Sequence, residues 1–158
     1  MNKFINIFFL ILCLNLTSNC GFKIIDQKKK SNFNIEEINT YGNKRINFKI
    51  KNNLLLNSKN NDENLLIIDL KTKKIKKIKE KNIKNEITKY QITINSQIKL
   101  NSLKNNKIYE FGISTVGDFL VANNNSTTVN NEKKLVDNLV EQVSDNIINE
   151  IIKKLNDN

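Results

Sequence analysis

The most regular pattern of apolar and polar positions lies between Thr88 and Ser102. Polar residues occupy its odd positions, and apolar residues occupy most of the even ones: Tyr90, Ile92, Ile94, Ile98 and Leu100. This period of two predicts a β-strand with one buried face and one solvated face. Asn105 and Asn106 predict a turn. A second alternating segment follows, with one face formed by Tyr109, Phe111, Ile113 and Thr115. The two segments predict an antiparallel meander.

A broad apolar stripe near the end of the chain predicts a long amphipathic helix. Its residues recur at steps of three and four: Leu135, Val136, Leu139, Val140, Val143, Ile147, Ile148, Ile151, Ile152 and Leu155. This spacing places them along one side of a helix, which another layer must cover. We expect Asn130 or Asn131 to cap the helix and Glu132 to lie in its first turn. Lys153–Lys154 suits the last turn, where cations favour the helix dipole.

Before the meander, the chain predicts a strand followed by a helix. The strand is short and covers Phe33–Ile38. The four-residue spacing of Ile46, Ile50 and Leu54 favours a helix from about Asn43 to Leu56.

A second strand and a lysine-rich segment connect this helix to the meander. Asn57–Asn64 predicts a turn by its composition. Leu65–Leu70 predicts a central strand, because its first residues are apolar on both faces. Lysines then crowd the segment Lys71–Lys84, which we expect to form a basic loop or hairpin between the second and third strands. Together these elements predict an α+β fold. It is a two-layer α/β sandwich of about four mainly antiparallel strands packed against two helices, with a long C-terminal amphipathic helix.

The first 19 residues have the features of an export signal. Lys3 gives a positive start, and the 13 residues of Phe4–Leu16 are nearly all apolar. A helix needs about 20 such residues to cross a bilayer, so this run fits the core of a signal peptide instead. Thr17–Asn19 then leads directly to Cys20, in an arrangement that resembles a lipobox.

We therefore expect cleavage before Cys20 and lipid attachment to its thiol. Acyl chains hold a protein on a membrane durably, because each buried methylene contributes about 0.8 kcal/mol. The alternatives are an ordinary secretory signal with an unmodified Cys20, or an uncleaved anchor. The predicted organisation is a lipoprotein signal peptide over 1–19, a lipidated cysteine and tether over 20–32, and a single domain over 33–158.

Charge and residue content narrow the possible functions. The net charge is +10, and residues 1–19 hold one lysine and no acid, so the remainder carries +9. This charge favours an anionic partner such as phosphate, a lipid headgroup or nucleic acid. Export of the protein argues against nucleic acid. The chain has no histidine, which excludes Ser-His and Cys-His catalysis and imidazole zinc sites. We expect no enzyme, no metal and no cofactor.

Several features together resemble the LPS-assembly lipoprotein (LptE) family. They are the start Cys20-Gly21-Phe22-Lys23, a first strand, a helix around Arg45, a strand meander and the final helix Leu135–Leu155. The resemblance covers nearly the whole chain after Cys20, although no Pro follows Lys23 as in many members. It implies a lipoprotein anchored in the outer membrane on the periplasmic side. Such a protein plugs a large LptD-like β-barrel translocon, assists its folding and contacts lipopolysaccharide.

Under this resemblance, the lysine-rich segment is the candidate site for lipopolysaccharide. Lipid A carries phosphates, which suit the point charge of a lysine. The candidate residues are Lys73, Lys74, Lys76 and Lys77. The interleaved Ile75 and Ile78 would touch acyl chains or the barrel wall. The competing interpretation is a solvated basic hairpin without a ligand. A second function of a different class is a periplasm-facing lipid- or peptidoglycan-binding lipoprotein without a barrel partner.

Overall fold

The computed structural model describes residues 33–59 and 64–157. Its elements follow in the order β1 (Asn34–Gly42), α1 (Lys44–Asn57), β2 (Leu65–Lys81), β3 (Ile87–Ser102), β4 (Lys107–Leu120) and α2 (Asn125–Asn156). The strands form one sheet in the order β1-β2-β3-β4, in which β1 is parallel to β2 and the other pairs are antiparallel. The predicted α+β sandwich with a long C-terminal helix is confirmed. The predicted signal peptide, Cys20 and the tether lie outside the described residues.

The helix α1 forms the crossover that a parallel pair of strands requires. The Asn43 side chain caps its start by accepting a hydrogen bond from the Ile46 amide at 3.1 Å, and Ile46, Ile50 and Leu54 form its buried side as predicted. Gly42, just before the cap, has a φ of +95°. A Cβ atom there would collide with the Thr72 carbonyl oxygen on β2, so β1 ends at a position that only glycine fits well.

Both helices pack on the same face of the sheet. α1 lies against β1 and β2, α2 lies against β3 and β4, and the two helices touch each other. We call this side of the sheet the covered face and the other side the open face. The even-numbered apolar residues of β3 are buried on the covered face as predicted: Ile92, Ile94, Ile98 and Leu100. They meet the apolar stripe of α2, which buries Leu139, Val143, Ile147 and Ile151.

The helix α2 begins earlier than the apolar stripe predicts. Asn124 caps it by accepting a hydrogen bond from the Thr127 amide at 2.7 Å, so the prediction of Asn130 or Asn131 as the cap is wrong. Asn131 instead donates from its side chain to the carbonyl at the end of β4. Glu132 consequently lies in the third turn rather than the first. The polar residues before the stripe are helical because a good cap satisfies the first amides without any apolar burial.

The strand β2 is also longer than predicted, because it continues from Leu65 to Lys81. The expectation that the lysine-rich segment forms a loop between strands is wrong. β1 ends opposite Thr72, so the part of β2 after Thr72 pairs with β3 alone. The turn between β2 and β3 occupies only residues 82–86, where the Asn82 side chain accepts hydrogen bonds from the Lys84 and Glu86 amides.

Candidate anion-binding surface

The second half of β2, Lys71–Lys81, is the most basic part of the sheet, and we call it the basic half of β2. Successive residues of a strand point to opposite faces, so its lysines divide between the two sides of the sheet. Lys74 and Lys76 share the covered face with Leu70 and Thr72. Lys71, Lys73 and Lys77 lie on the open face, in register with Gln97, Asn95 and Gln91 of β3. The four lysines predicted as a single site therefore lie two on each face.

The covered-face pair is bound to α2 through one carboxylate. Lys74 and Lys76 each donate to Glu132, to Oε1 and Oε2 respectively, at 2.6 Å. Desolvation of Glu132 raises its pKa, but the hydrogen bonds from the two lysines outweigh this effect and leave the pKa below its ordinary value. Lys76 also lies over the ring of Tyr90, 4.3 Å from its centroid. Both lysines therefore act as links between the sheet and α2.

The open-face lysines have no such partners. Lys71, Lys73 and Lys77 are exposed, and their side chains form no hydrogen bond or ion pair with any residue in 33–59 or 64–157. Residues two apart on a strand are separated by about 6.6 Å, so Lys71 and Lys73 offer two closely spaced cations, and Lys77 offers a third further along. Their neighbour Lys79 differs from them, because it donates a hydrogen bond to Asp118 on β4 and is neutralised by it. This hydrogen bond is the main reason why the pKa of Asp118 lies below its ordinary value.

Apolar and polar groups on the open face adjoin these cations. Ile75 lies between Lys73 and Lys77 and is in register with Thr93 and with Val116, which is 57% exposed. A shallow groove beside Lys71 is lined in part by Tyr41 of β1 and Gly112 of β4. Two carboxylates also line this groove, Asp69 of β2, which accepts a hydrogen bond from Asn39, and Glu110 of β4, so the groove carries both signs of charge at its Lys71 end. The arrangement suits a ligand that combines phosphates with apolar chains.

Sequence reasoning located this segment but missed the division between its faces. Glu132, assigned only to a helix terminus, neutralises half of the predicted site from a position more than fifty residues away. Lys71, which is part of the lysine-rich segment but not one of the four candidate residues, belongs with the open-face cations that form no ion pair within the described residues. The register of β2 against β3 shows which lysines share a face. Lys74 and Lys76 align with Ile94 and Ile92, which belong to the buried face of β3.

Two further features of the described ranges bear on chemistry. Within 33–59 and 64–157, no three His, Cys, Asp or Glu side chains are grouped so that they could hold a metal ion. Neither helix in these ranges has an apolar stretch long enough to cross a bilayer.

Solved structures of bacterial lipoproteins share this fold. The crystal structure of rare lipoprotein B from Shewanella oneidensis matches with a TM-score of 0.60 at 12% identity, over 77% of this chain and 97% of that chain. The solution structure of the uncharacterized lipoprotein B from Nitrosomonas europaea matches with a TM-score of 0.56 at 14% identity, over 86% and 93% of the two chains. No protein-family model and no curated protein matches the sequence. The chain therefore shares the fold of these lipoproteins, which agrees with the LptE-like fold that the resemblance implied.

Proposed function

We propose that this protein is a non-catalytic outer-membrane lipoprotein of the LptE type, anchored through Cys20 on the periplasmic side. In this role it assists the assembly of a large β-barrel lipopolysaccharide translocon and plugs it. The observation that supports the proposal most is the fold, which aligns with 97% of the chain of rare lipoprotein B. The sequence adds the lipobox-like Cys20 after a short apolar leader.

Direct binding of lipopolysaccharide belongs to the open face in this proposal. Lys71, Lys73 and Lys77 would pair with lipid A phosphates, and Ile75 would contact an acyl chain. Their charges are available because no described residue forms an ion pair with them. Lys74 and Lys76 have structural roles instead, since Glu132 already occupies both.

Paired lysine substitutions test this assignment. The variant Lys73→Gln, Lys77→Gln should bind purified lipopolysaccharide about thirtyfold more weakly at low salt, because each lysine near an anionic surface contributes about 1 kcal/mol and two are removed. The matched control is Lys74→Gln, Lys76→Gln, which has the same net charge as the test variant. It should keep the wild-type affinity for lipopolysaccharide but be less stable, because it loses both ion pairs with Glu132. Binding can be measured by titration with wild-type protein alongside. Equal losses of affinity in both variants would show that net charge alone governs binding.

The barrel partner requires a separate experiment. The tagged full-length protein is captured from membranes extracted with a mild detergent, and the proteins that copurify are identified by mass spectrometry. We expect a large outer-membrane β-barrel protein in amounts comparable to the bait. Its absence would favour the periplasm-facing lipid- or peptidoglycan-binding lipoprotein. The mass of the mature N-terminus in the same sample tests acylation of Cys20.

A further inference from the structure

The outward side of α1 carries a group of uncovered apolar side chains. Phe48 is 65% exposed, Leu55 is 43% exposed and Leu56 is 75% exposed. Phe48 and Leu55 are seven residues apart, which is close to two turns, so they lie on the same side of the helix. We call these three residues the apolar face of α1. Single exposed apolar residues are common on protein surfaces, but three on one 14-residue helix indicate a docking surface.

Cations accompany this face, and the helix contains no carboxylate. The basic residues of α1 are Lys44, Arg45, Lys49 and Lys51. Lys49 is neutralised by Asp137 of α2, and Lys51 donates to a backbone carbonyl of β1 at 3.4 Å. Lys44 and Arg45 are exposed, and their side chains make no hydrogen bond or ion pair with any residue that the structure describes. A helix that exposes Phe and Leu beside Lys and Arg is typical of helices that lie on anionic membrane surfaces.

The first described residue connects this helix to the predicted lipid anchor. The Lys59 amide, three residues after Leu56, donates to the Phe33 carbonyl at 3.0 Å. The first described residue therefore lies beside the C-terminal end of α1. Phe33 is 13 residues after Cys20, and 13 residues reach at most about 47 Å. A lipid on Cys20 thus keeps Phe33, and with it the C-terminal end of α1, within about 47 Å of the bilayer.

We propose that the apolar face of α1 docks on the anionic lipid bilayer that holds Cys20. Phe48, Leu55 and Leu56 lie at the boundary of the acyl chains, and Lys44 and Arg45 contact headgroup phosphates. The inference rests on the lipid anchor of the proposed function but does not need the barrel partner. The open face of the sheet then points away from the bilayer.

Tryptophan fluorescence in vesicles tests this surface, because the chain contains no tryptophan of its own. The full-length lipidated protein with Leu56→Trp is reconstituted into phosphatidylglycerol vesicles whose acyl chains are brominated. The matched control is Leu120→Trp, at a position of 61% exposure on β4. We expect a blue shift and a loss of most of the emission for Leu56→Trp, and neither for Leu120→Trp. Equal emission from the two variants would overturn the proposal.

A second variant distinguishes a lipid surface from a protein partner. Adding Phe48→Gln and Leu55→Gln to Leu56→Trp should restore most of the quenched emission, because two of the three apolar contacts are lost. A blue shift that occurs only in a detergent-extracted complex, without quenching by brominated lipid, would assign the face to a protein and refute the membrane contact. Loss of the barrel in the capture experiment would leave the quenching unchanged, so the two proposals fail separately.

Discussion

Removal of the Glu132 carboxylate is the sharpest test of how α2 is held on the sheet. The substitution Glu132→Gln keeps the size of the side chain and one acceptor oxygen, but it removes the charge that Lys74 and Lys76 share. The side chain of Glu132 is 24% exposed, and those of the two lysines are 27% and 37% exposed. Both ion pairs are therefore partly shielded from water, and they join β2 to a helix that follows β4.

The expected cost follows from these exposures. A solvent-exposed ion pair contributes roughly 0.2–1 kcal/mol. Two partly shielded pairs that share one carboxylate should together contribute about 1–2 kcal/mol to the free energy of unfolding. The pair with Lys76 should contribute less than the pair with Lys74, because Lys76 is more exposed. With a urea dependence of about 2 kcal/mol per molar, the unfolding midpoint should fall by 0.5–1 M.

The pH dependence gives the direction of the effect. The pKa of Glu132 is lower in the folded protein than its ordinary value of 4.5. A carboxyl with a depressed folded pKa stabilises the protein above its unfolded pKa, and this stabilisation is lost as the pH falls through the folded value. The difference between wild type and Glu132→Gln should therefore be full near neutral pH and should narrow as the pH is lowered below 4.5.

Urea denaturation followed by circular dichroism measures this difference at each pH. The matched control is Glu141→Gln, an exposed carboxylate on the same helix with no ion pair among the described residues. Its midpoint should stay within about 0.2 M of wild type at neutral pH. If Glu132→Gln has the wild-type urea midpoint near neutral pH, or if the difference between the two midpoints does not change with pH, then the ion pairs of Glu132 do not hold α2 on the sheet.

Two further substitutions test local parts of the fold. Asn124→Ala should destabilise the protein by about 1 kcal/mol, because it removes the cap of α2. Asn130→Ala should have little effect. Similar thermal unfolding midpoints for the two variants would show that Asn124 does not cap the helix. Asn47→Ala should cost about 2 kcal/mol, because the buried Asn47 accepts from the Thr72 hydroxyl at 2.5 Å and donates to the Tyr41 carbonyl at 2.9 Å. Urea titration with Asn52→Ala, an exposed position on the same helix, is its control, and equal stability of the two variants would contradict the role of this network.

The alternation of β3 was predictable because its two faces meet different surroundings. Ile92 and Ile94 contact the helices, while Gln91 and Thr93 lie on the open face, so the sequence keeps a period of two. The apolar stripe of α2 was predictable for the corresponding reason. Its cap was not, because the residues after Asn124 are polar on every side and carry no periodic signal.

The basic half of β2 could not be recognised as a strand from its own residues. Lysines occupy both faces at Lys73–Lys74 and again at Lys76–Lys77, which removes the period of two. The segment is a strand because β3 supplies its hydrogen bonds along one edge, and Glu132 offsets the charge of the covered-face lysines. Lysines on the free edge also hinder pairing with other chains.

The sequence by itself determined the number of layers, the buried faces of α1, β3 and α2, and the segment in which cations concentrate. These properties depend on residues that are close along the chain. The tertiary structure decided which lysines remain free and which side of α1 stays uncovered. Those outcomes depend on contacts between distant residues, such as Glu132 with Lys74, and local patterns of apolar and charged residues do not contain them.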